Sequence, residues 1–354
     1  MSDIVKLSIG GSLYSGWKTA RIERNLETIA GGFSLSVSER GDVSISEEAE
    51  CEVKVNDSTV IKGFVDKIRT SYSATDRTFE VAGRDRAGEL VDCSALLGKW
   101  EFRNFDLLKF AKQLCEPFGV DVYLQQGLVL PAPSKKLSLN PGDSAFTALE
   151  EACRIVGCFP MSNGAGGIIL TRAGTSKATT ALVEGQNVLS ASLEISADSR
   201  FREYLVLGQH HGSDEQHGAA AAHVKGTASD TGVKRTWRKL LVRPEHSVNQ
   251  AQANTRAQWE ATTRAARSAV VTVTVQGWTQ GNGQPWPINT KVDVDLPKLR
   301  VQGEMLITST VFSLNDTEGT TATLTLKGAD GFKPQPVISK ATGDGIWKEI
   351  AKGV

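Results

Sequence analysis

The run "TFEVAGRD" at residues 78–85 recurs as "TLTLKGAD" at residues 323–330, with Thr, apolar alternation, Gly and Asp in register. Both alternate apolar and polar side chains, the period-two signature of a half-buried strand. Both read as the second arm of a hairpin, after "GFVDKIRTSY" (63–72) and "LITSTVFSL" (306–314). A Gly-Trp pair marks each region as well, at Gly16-Trp17 and Gly277-Trp278. The echo predicts one β unit used twice.

Working outward, residues 1–83 read as β throughout. "IVKLSI" (4–9) meets the turn signal Gly10-Gly11, and "GGFSLSVSE" (31–39) alternates through Phe33, Leu35 and Val37. "CEVKV" (51–55) and "TVIKGFVDKIRTSYS" (59–73) follow, split by Asn56-Asp57. From about 187 the pattern is β again, through "NVLSASLEIS" (187–196), "REYLVLGQ" (202–209), "RKLLVR" (238–243), "SAVVTVTVQGW" (268–278) and "TKVDVDL" (290–296). An Ala-rich helix is predicted over 249–268, where Ala251, Ala253, Ala257, Ala261, Ala265 and Ala266 imply close packing on a sheet or a neighbouring subunit.

The middle of the chain changes character. Asn104 can cap a helix over 105–118, with Leu108, Ala111, Cys115 and Phe118 on one face and Gly119 at its end. "VDVYL" (120–124) reads as a strand. Asp143 or Ser144 caps a second helix bearing Phe146, Leu149, Cys153 and Val156, closed by Gly157. "GCFPMSNGAGGIILTRA" (157–173) reads as a hairpin turning at "NGAGG". The predicted class is therefore a β-rich α+β, multi-domain protein, with two similar antiparallel β-barrel-like domains around an α+β insert. The predicted boundaries are 1–98, 99–186, 187–332 and a C-terminal tail at 333–354.

Composition narrows the function. The chain has 354 residues, with 40 basic and 40 acidic side chains and zero net charge. A protein built to hold nucleic-acid phosphates carries excess Lys and Arg. The N-terminus lacks a basic and then apolar secretory pattern, and no apolar run nears the ~20 residues that cross a bilayer. Synthesis in a bacterial cytoplasm is expected, with Cys51, Cys93, Cys115, Cys153 and Cys158 as reduced thiols.

Candidate chemistry is sparse. "VAGRDRAGELVDCSA" (81–95) has neither of the phosphate-loop glycine spacings. Asp85 is placed to cap the helix that follows, and Glu89 sits in its first turn. Gly83, Asp85, Gly328 and Asp330 are accordingly read as a structural motif. Four of the five histidines, His210, His211, His217 and His223, flank Asp214 and Glu215 in one segment. Imidazole and carboxylate suit zinc or nickel. The segment is rich in Gly, Ser and Ala, so a polar loop is favoured and no metal or cofactor is assigned. His246 reads as a helix lead-in. Glu150 and Glu151 are adjacent on a helix and diverge by about 100°, which is not a facing acid–base pair. Arg256, Arg264 and Arg267 with Trp259 lack the stacking surface of a nucleic-acid reader. No catalytic constellation emerges, and no enzyme is expected.

Several segments nevertheless have a familiar order: "ERNLETIAGGFSLSV" (23–37), "VAGRDRAGELVDCSA", "LCEPFGV" (114–120), "VKGTASD" (224–230) and "GWTQGNGQPWPINTKVDVD" (277–295). Together they resemble the baseplate hub protein of Mu-like contractile-tailed phages, from about residue 5 to 334. Ile288 before Asn289 departs from that pattern, and the His-rich segment is no part of the resemblance. Such hubs are similar to the central hub of T-even phage tails and the hub of type VI secretion spikes. The resemblance implies a trimeric ring in the virion tail baseplate, with two β-barrel-like domains per chain giving six near-equivalent positions. It further implies partners in the tail spike protein, the tail tube and other baseplate proteins, and an axial channel for transient DNA passage without membrane insertion. The alternatives are a tail-associated cell-wall hydrolase and a metal-binding β protein.

Overall fold

The computed structural model describes residues 3–38, 45–75, 77–130, 136–208, 224–244 and 248–336. The first β region holds β1 (Val5–Ile9), β2 (Ser12–Tyr14), β3 (Thr19–Asn25), β4 (Gly32–Ser38), β5 (Glu50–Val55), β6 (Ser58–Tyr72) and β7 (Arg77–Asp85). After α1 (Gly88–Asp92) come β8 (Glu101–Phe102), α2 (Leu107–Cys115), β9 (Asp121–Leu124), β10 (Leu137–Ser138), α3 (Ala145–Val156), β11 (Phe159–Ser162) and β12 (Gly167–Thr171). The rest comprises β13 (Leu182–Val183), β14 (Val188–Ile195), β15 (Glu203–Gly208), β16 (Val224–Ser229) and β17 (Lys239–Val242). It closes with α4 (Gln250–Arg267), β18 (Ala269–Gln276), β19 (Thr290–Leu296), β20 (Val301–Asn315) and β21 (Gly319–Lys327).

The two β regions repeat one connectivity. In the first, the strands lie in the order β3-β4-β7-β6-β5; in the second, β14-β18-β21-β20-β19. Every contact within each set is antiparallel, and the chain visits both sets in the same sequence. The echoing hairpins match in size: β6 and β20 have 15 residues each, β7 and β21 nine each. Each long strand carries a bulge, at Asp66 between Val65 and Lys67, and at Thr308 between Ile307 and Ser309.

The expected pair of β-barrel-like domains takes a more open form. No closed barrel forms among the described residues; a single 13-stranded sheet runs through both regions. The cause is the length of β20. Residues 301–307 pair with β19, and β3 takes the same edge from Ser309 to Leu314. An open edge carries unpaired N–H and C=O groups, so filling it from the other unit satisfies both. One core follows, with Leu7, Ile22, Leu35 and Val53 in the same cluster as Val271, Leu324, Trp278 and Phe312.

The insert has its own core of Leu90, Phe110, Leu114, Leu149, Val156 and Ile168. Its helices begin where short polar side chains meet free N–H groups. Ser144 accepts from the Thr147 N–H at 3.1 Å, and Gly157, at φ 77°, ends α3 in the left-handed region. Helix α2 starts later than expected. Asp106 is its cap, accepting from the Lys109 N–H at 2.8 Å, while Asn104 takes φ 49° in the turn before it. A third layer sets α4 on the sheet β16-β15-β17, with Ala253, Ala257 and Ala261 buried. There a Cβ on Gly226 would run into the Ala253 backbone, so strand and helix approach closely enough to require glycine at that position. Asn249 and Gln252 close a reciprocal capping box at its start.

All five thiols are free. Burial pushes Cys51 and Cys115 up to about 12, and a hydrogen bond with the Cys158 thiol together with burial holds Cys153 well above its ordinary value. Thiolates are the reactive form, so these groups are inert near neutrality. Native protein treated with iodoacetamide at pH 8 is expected to label first at half-buried Cys93, and at the other four only after unfolding, as read by peptide mass spectrometry. Early labelling of Cys115 would show that the insert core opens readily.

Candidate functional site

The segment Gly83-Arg84-Asp85-Arg86 closes β7 and starts α1, and successive side chains leave it in opposite directions. Gly83 faces Val65 across the β6–β7 ladder. A Cβ there would collide with the Phe64 carbonyl oxygen and come within 2.8 Å of the Phe33 ring. The glycine is thus required by close approach, and its φ is unremarkable.

Asp85 points inward and is 3% exposed. One carboxylate oxygen accepts from the Ala87 N–H at 2.8 Å. Ala87 is itself the N-cap of α1 and carries no side-chain cap bond, so Asp85 braces the turn before the helix and does not cap it as expected. The other carboxylate oxygen accepts from the Ser162 hydroxyl at 2.6 Å, 77 residues further along the chain. The same hydroxyl oxygen accepts from the Gly164 N–H at 2.9 Å, while Arg24 donates to the Ser162 carbonyl at 3.1 Å. One buried carboxylate therefore ties the first β unit, α1 and the β11–β12 turn together. Burial raises its pKa above the ordinary carboxylate value, against the pull of Ser162, the Ala87 N–H, Arg24 and Arg86.

The flanking arginines reach outward. Arg84 donates to Asp92 at the end of α1 (2.6 and 3.3 Å) and to the bulge residue Asp66 (2.9 Å). Arg86 pairs with Glu50, donates to the Gly119 carbonyl at 3.1 Å and lies over the Phe64 ring. Both oxygens of Asp85 are engaged, and the groups around it are structural donors. The arrangement acts as a rivet between two units, with no acid–base pair in it.

The echo segment occupies a different setting. Strand β21 ends at Lys327, so Gly328 and Asp330 lie beyond it, in the turn that packs Phe332 against Arg267. Asp330 forms a surface ion pair with Lys333 at 2.7 Å. When the bulges are superposed, Ala82 matches Thr325, two residues away from the sequence alignment. The Gly-Trp echo also separates: Trp17 leads into β3, whereas Trp278 follows β18 and donates to the Ser313 and Thr321 carbonyls at 3.0 and 3.1 Å.

His210, His211, His217, His223 and His246 all lie outside the described residues, with Asp214 and Glu215. Among the described residues no group of three or more His, Cys, Asp or Glu is placed to hold a metal ion. Glu151 reaches Arg154 at 3.9 Å along α3. A buried carboxylate that the sequence reading passed over is Glu260, held by Arg256 and Arg264 at 2.9 Å each. Its signal was the i, i±4 spacing of the three residues. Ser162 and Arg24 had none, because their link to Asp85 is purely tertiary.

The chain resembles known proteins along most of its length. Residues 4–85 match the family described as Mu phage baseplate assembly protein GpP-like, N-terminal, and residues 249–335 the fourth domain of Mu phage baseplate assembly protein GpP. Residues 87–172 match the second domain of baseplate hub protein gp44-like proteins. Baseplate hub protein gp44 of Escherichia phage Mu is 30% identical over 341 residues, covering 94% of this chain and 89% of that protein. The 43 kDa tail protein of prophage MuSo2 from Shewanella oneidensis superposes with TM-score 0.82 at 29% identity, over 94% of this chain and all of that one. An E. coli type VI secretion component, described as structurally similar to the T4 tail proteins gp27 and gp5, shares the fold at TM-score 0.56 and 11% identity, over 95% and 80% of the two chains. The Mu and MuSo2 relatives are a baseplate hub protein and a tail protein.

Two measurements test the rivet. Gly83→Ala is expected to destabilise the protein by about 1–3 kcal/mol, the usual cost of overpacking, and Gly328→Ala by clearly less, since its nearest neighbour is the Ala266 methyl at 3.3 Å. Equal losses in urea unfolding would remove the distinction between the two sites. For Asp85, the raised folded pKa means that the unfolded chain loses its proton first as pH rises. The carboxyl's contribution is therefore complete below the ordinary carboxylate value of about 4 and declines as pH climbs through the folded value. Asp85→Asn should lack that decline, and parallel stability–pH curves for the two proteins would refute it.

Proposed function

The chain belongs to the family of Mu-like baseplate hub proteins, and on that premise we propose that it works as a trimer joining a six-fold tail tube to a three-fold spike. The observation that carries the reading is the repeated connectivity of β3–β7 and of β14 with β18–β21. Three chains with two such units each supply six near-equivalent positions on one side while keeping three-fold symmetry on the other. The insert and the α4 layer break the equivalence, which suits a surface that must meet a three-fold partner.

The role is mechanical. The hub seats the tube, anchors the spike protein, contacts other baseplate proteins and leaves an axial channel through which DNA passes. The two β units with their insert and the C-terminal tail form its domains, divided near residues 98, 186 and 332. Zero net charge supports a channel that does not retard phosphate, since each phosphate neutralised by Lys or Arg adds affinity. The protein acts in the tail baseplate of the virion after synthesis in the host cytoplasm.

Light scattering at micromolar concentration should give three times the 38.0 kDa chain mass, and negative-stain electron microscopy should show rings. A monomer at that concentration would overturn the trimer.

A further inference from the structure

The internal seam between the two units has an empty counterpart on each side of the chain. Strand β20 gives its edge to β19 up to Ile307, bulges at Thr308, and gives the same edge to β3 from Ser309 onward. Strand β6 repeats this as far as the bulge. Its edge carries β5 up to Phe64, bulges at Asp66, and from Lys67 to Tyr72 pairs only with β7 among the described residues. The counterpart of β3 is β14, whose residues 190–195 pair only with β18 among the described residues and end the sheet. Among the described residues one unit thus offers an open socket and the other an open strand.

The surface chemistry differs as an unfilled seam should. In the filled seam Ile22 is fully buried and Phe312 is 1% exposed. In the open halves Tyr72 is 88% exposed and Ile195 67% exposed. Long, open, partly apolar edges are templates for pairing with another chain. Six strands separate β14 from β6 within the sheet, and among the described residues the two do not pair within the chain.

We propose that β14 of one copy adds to the edge of β6, residues 67–72, in the next copy, reproducing between chains the β3–β20 seam within the chain. The proposal rests on the trimeric reading above, and head-to-tail repetition closes the ring after three chains. The register follows from superposing the bulges. Lys67 and Ser309 face Ala82 and Thr325, whose ladders lead to Ser34 and Thr272, and then to Arg21 and Ser192. Ile22-Glu23 therefore matches Leu193-Glu194. Transferring the pairs Ser313 with Arg21 and Val311 with Glu23 sets Ser71 opposite Ser192 and Arg69 opposite Glu194. Both members of each pair are exposed, and the arginine meets a carboxylate, a stabilising cross-strand combination.

The test uses the full-length protein. Arg69→Glu sets like charges opposite one another and should weaken association about tenfold or more, measured by analytical ultracentrifugation. Adding Glu194→Arg should restore it. Separately, Ser71→Cys with Ser192→Cys should give covalent trimers on a denaturing gel after mild oxidation, with each single variant remaining monomeric on that gel. A trimer that ignores Arg69→Glu and does not cross-link overturns the edge pairing and leaves the trimer standing. A covalent ladder that stops at two chains supports the pairing and overturns the three-chain ring. A wild-type monomer overturns both.

Discussion

The backbone seam between β3 and the second half of β20 is the constraint on which the rest of the structure depends. It runs from Ser309 opposite Asn25 to Leu314 opposite Ala20, linking segments almost 300 residues apart. Without it each unit would expose a strand edge and the side chains of one core wall. With it, both units share a core. The bulge at Thr308 makes the handover possible, because an extra residue turns the strand where one partner ends and the next begins.

The second constraint is electrostatic. A carboxylate as enclosed as Asp85 is costly unless every lone pair is used. Here the β7 terminus, the α1 start and the Ser162 turn share that cost. The outward arginines add three carboxylate contacts through Asp66, Asp92 and Glu50. Being partly exposed, these contribute less each than their number suggests, and their main effect is to set the direction in which the insert departs. A rigid exit suits a structural protein of a tail baseplate.

Much of the local structure was legible. Strict alternation in 78–85 and 323–330 marked the strands, Ser144 and Gly157 marked the ends of α3, and the Ala stripe of α4 marked a close-packed face. Asn104 was misleading because Asp106, two residues later, offered a better-placed acceptor. The duplication was visible too, but through the wrong residues. Gly83-Asp85 and Gly328-Asp330 resemble one another by letter, whereas the bulges show that equivalent positions lie two residues apart.

By itself, then, the sequence determined the strand and helix periodicities, the zero net charge, the repeated hairpin and the family. These are properties of neighbouring residues or of their order, and side-chain chemistry encodes them locally. Only the tertiary structure decided that the units share one sheet, that Asp85 finds Ser162, and that β6 and β14 have edges without a strand partner among the described residues. The reason is physical. Backbone hydrogen bonds are the same for every residue, so which edge meets which strand leaves no mark in the letters, and burial of a polar group depends on what lies opposite once the chain has folded.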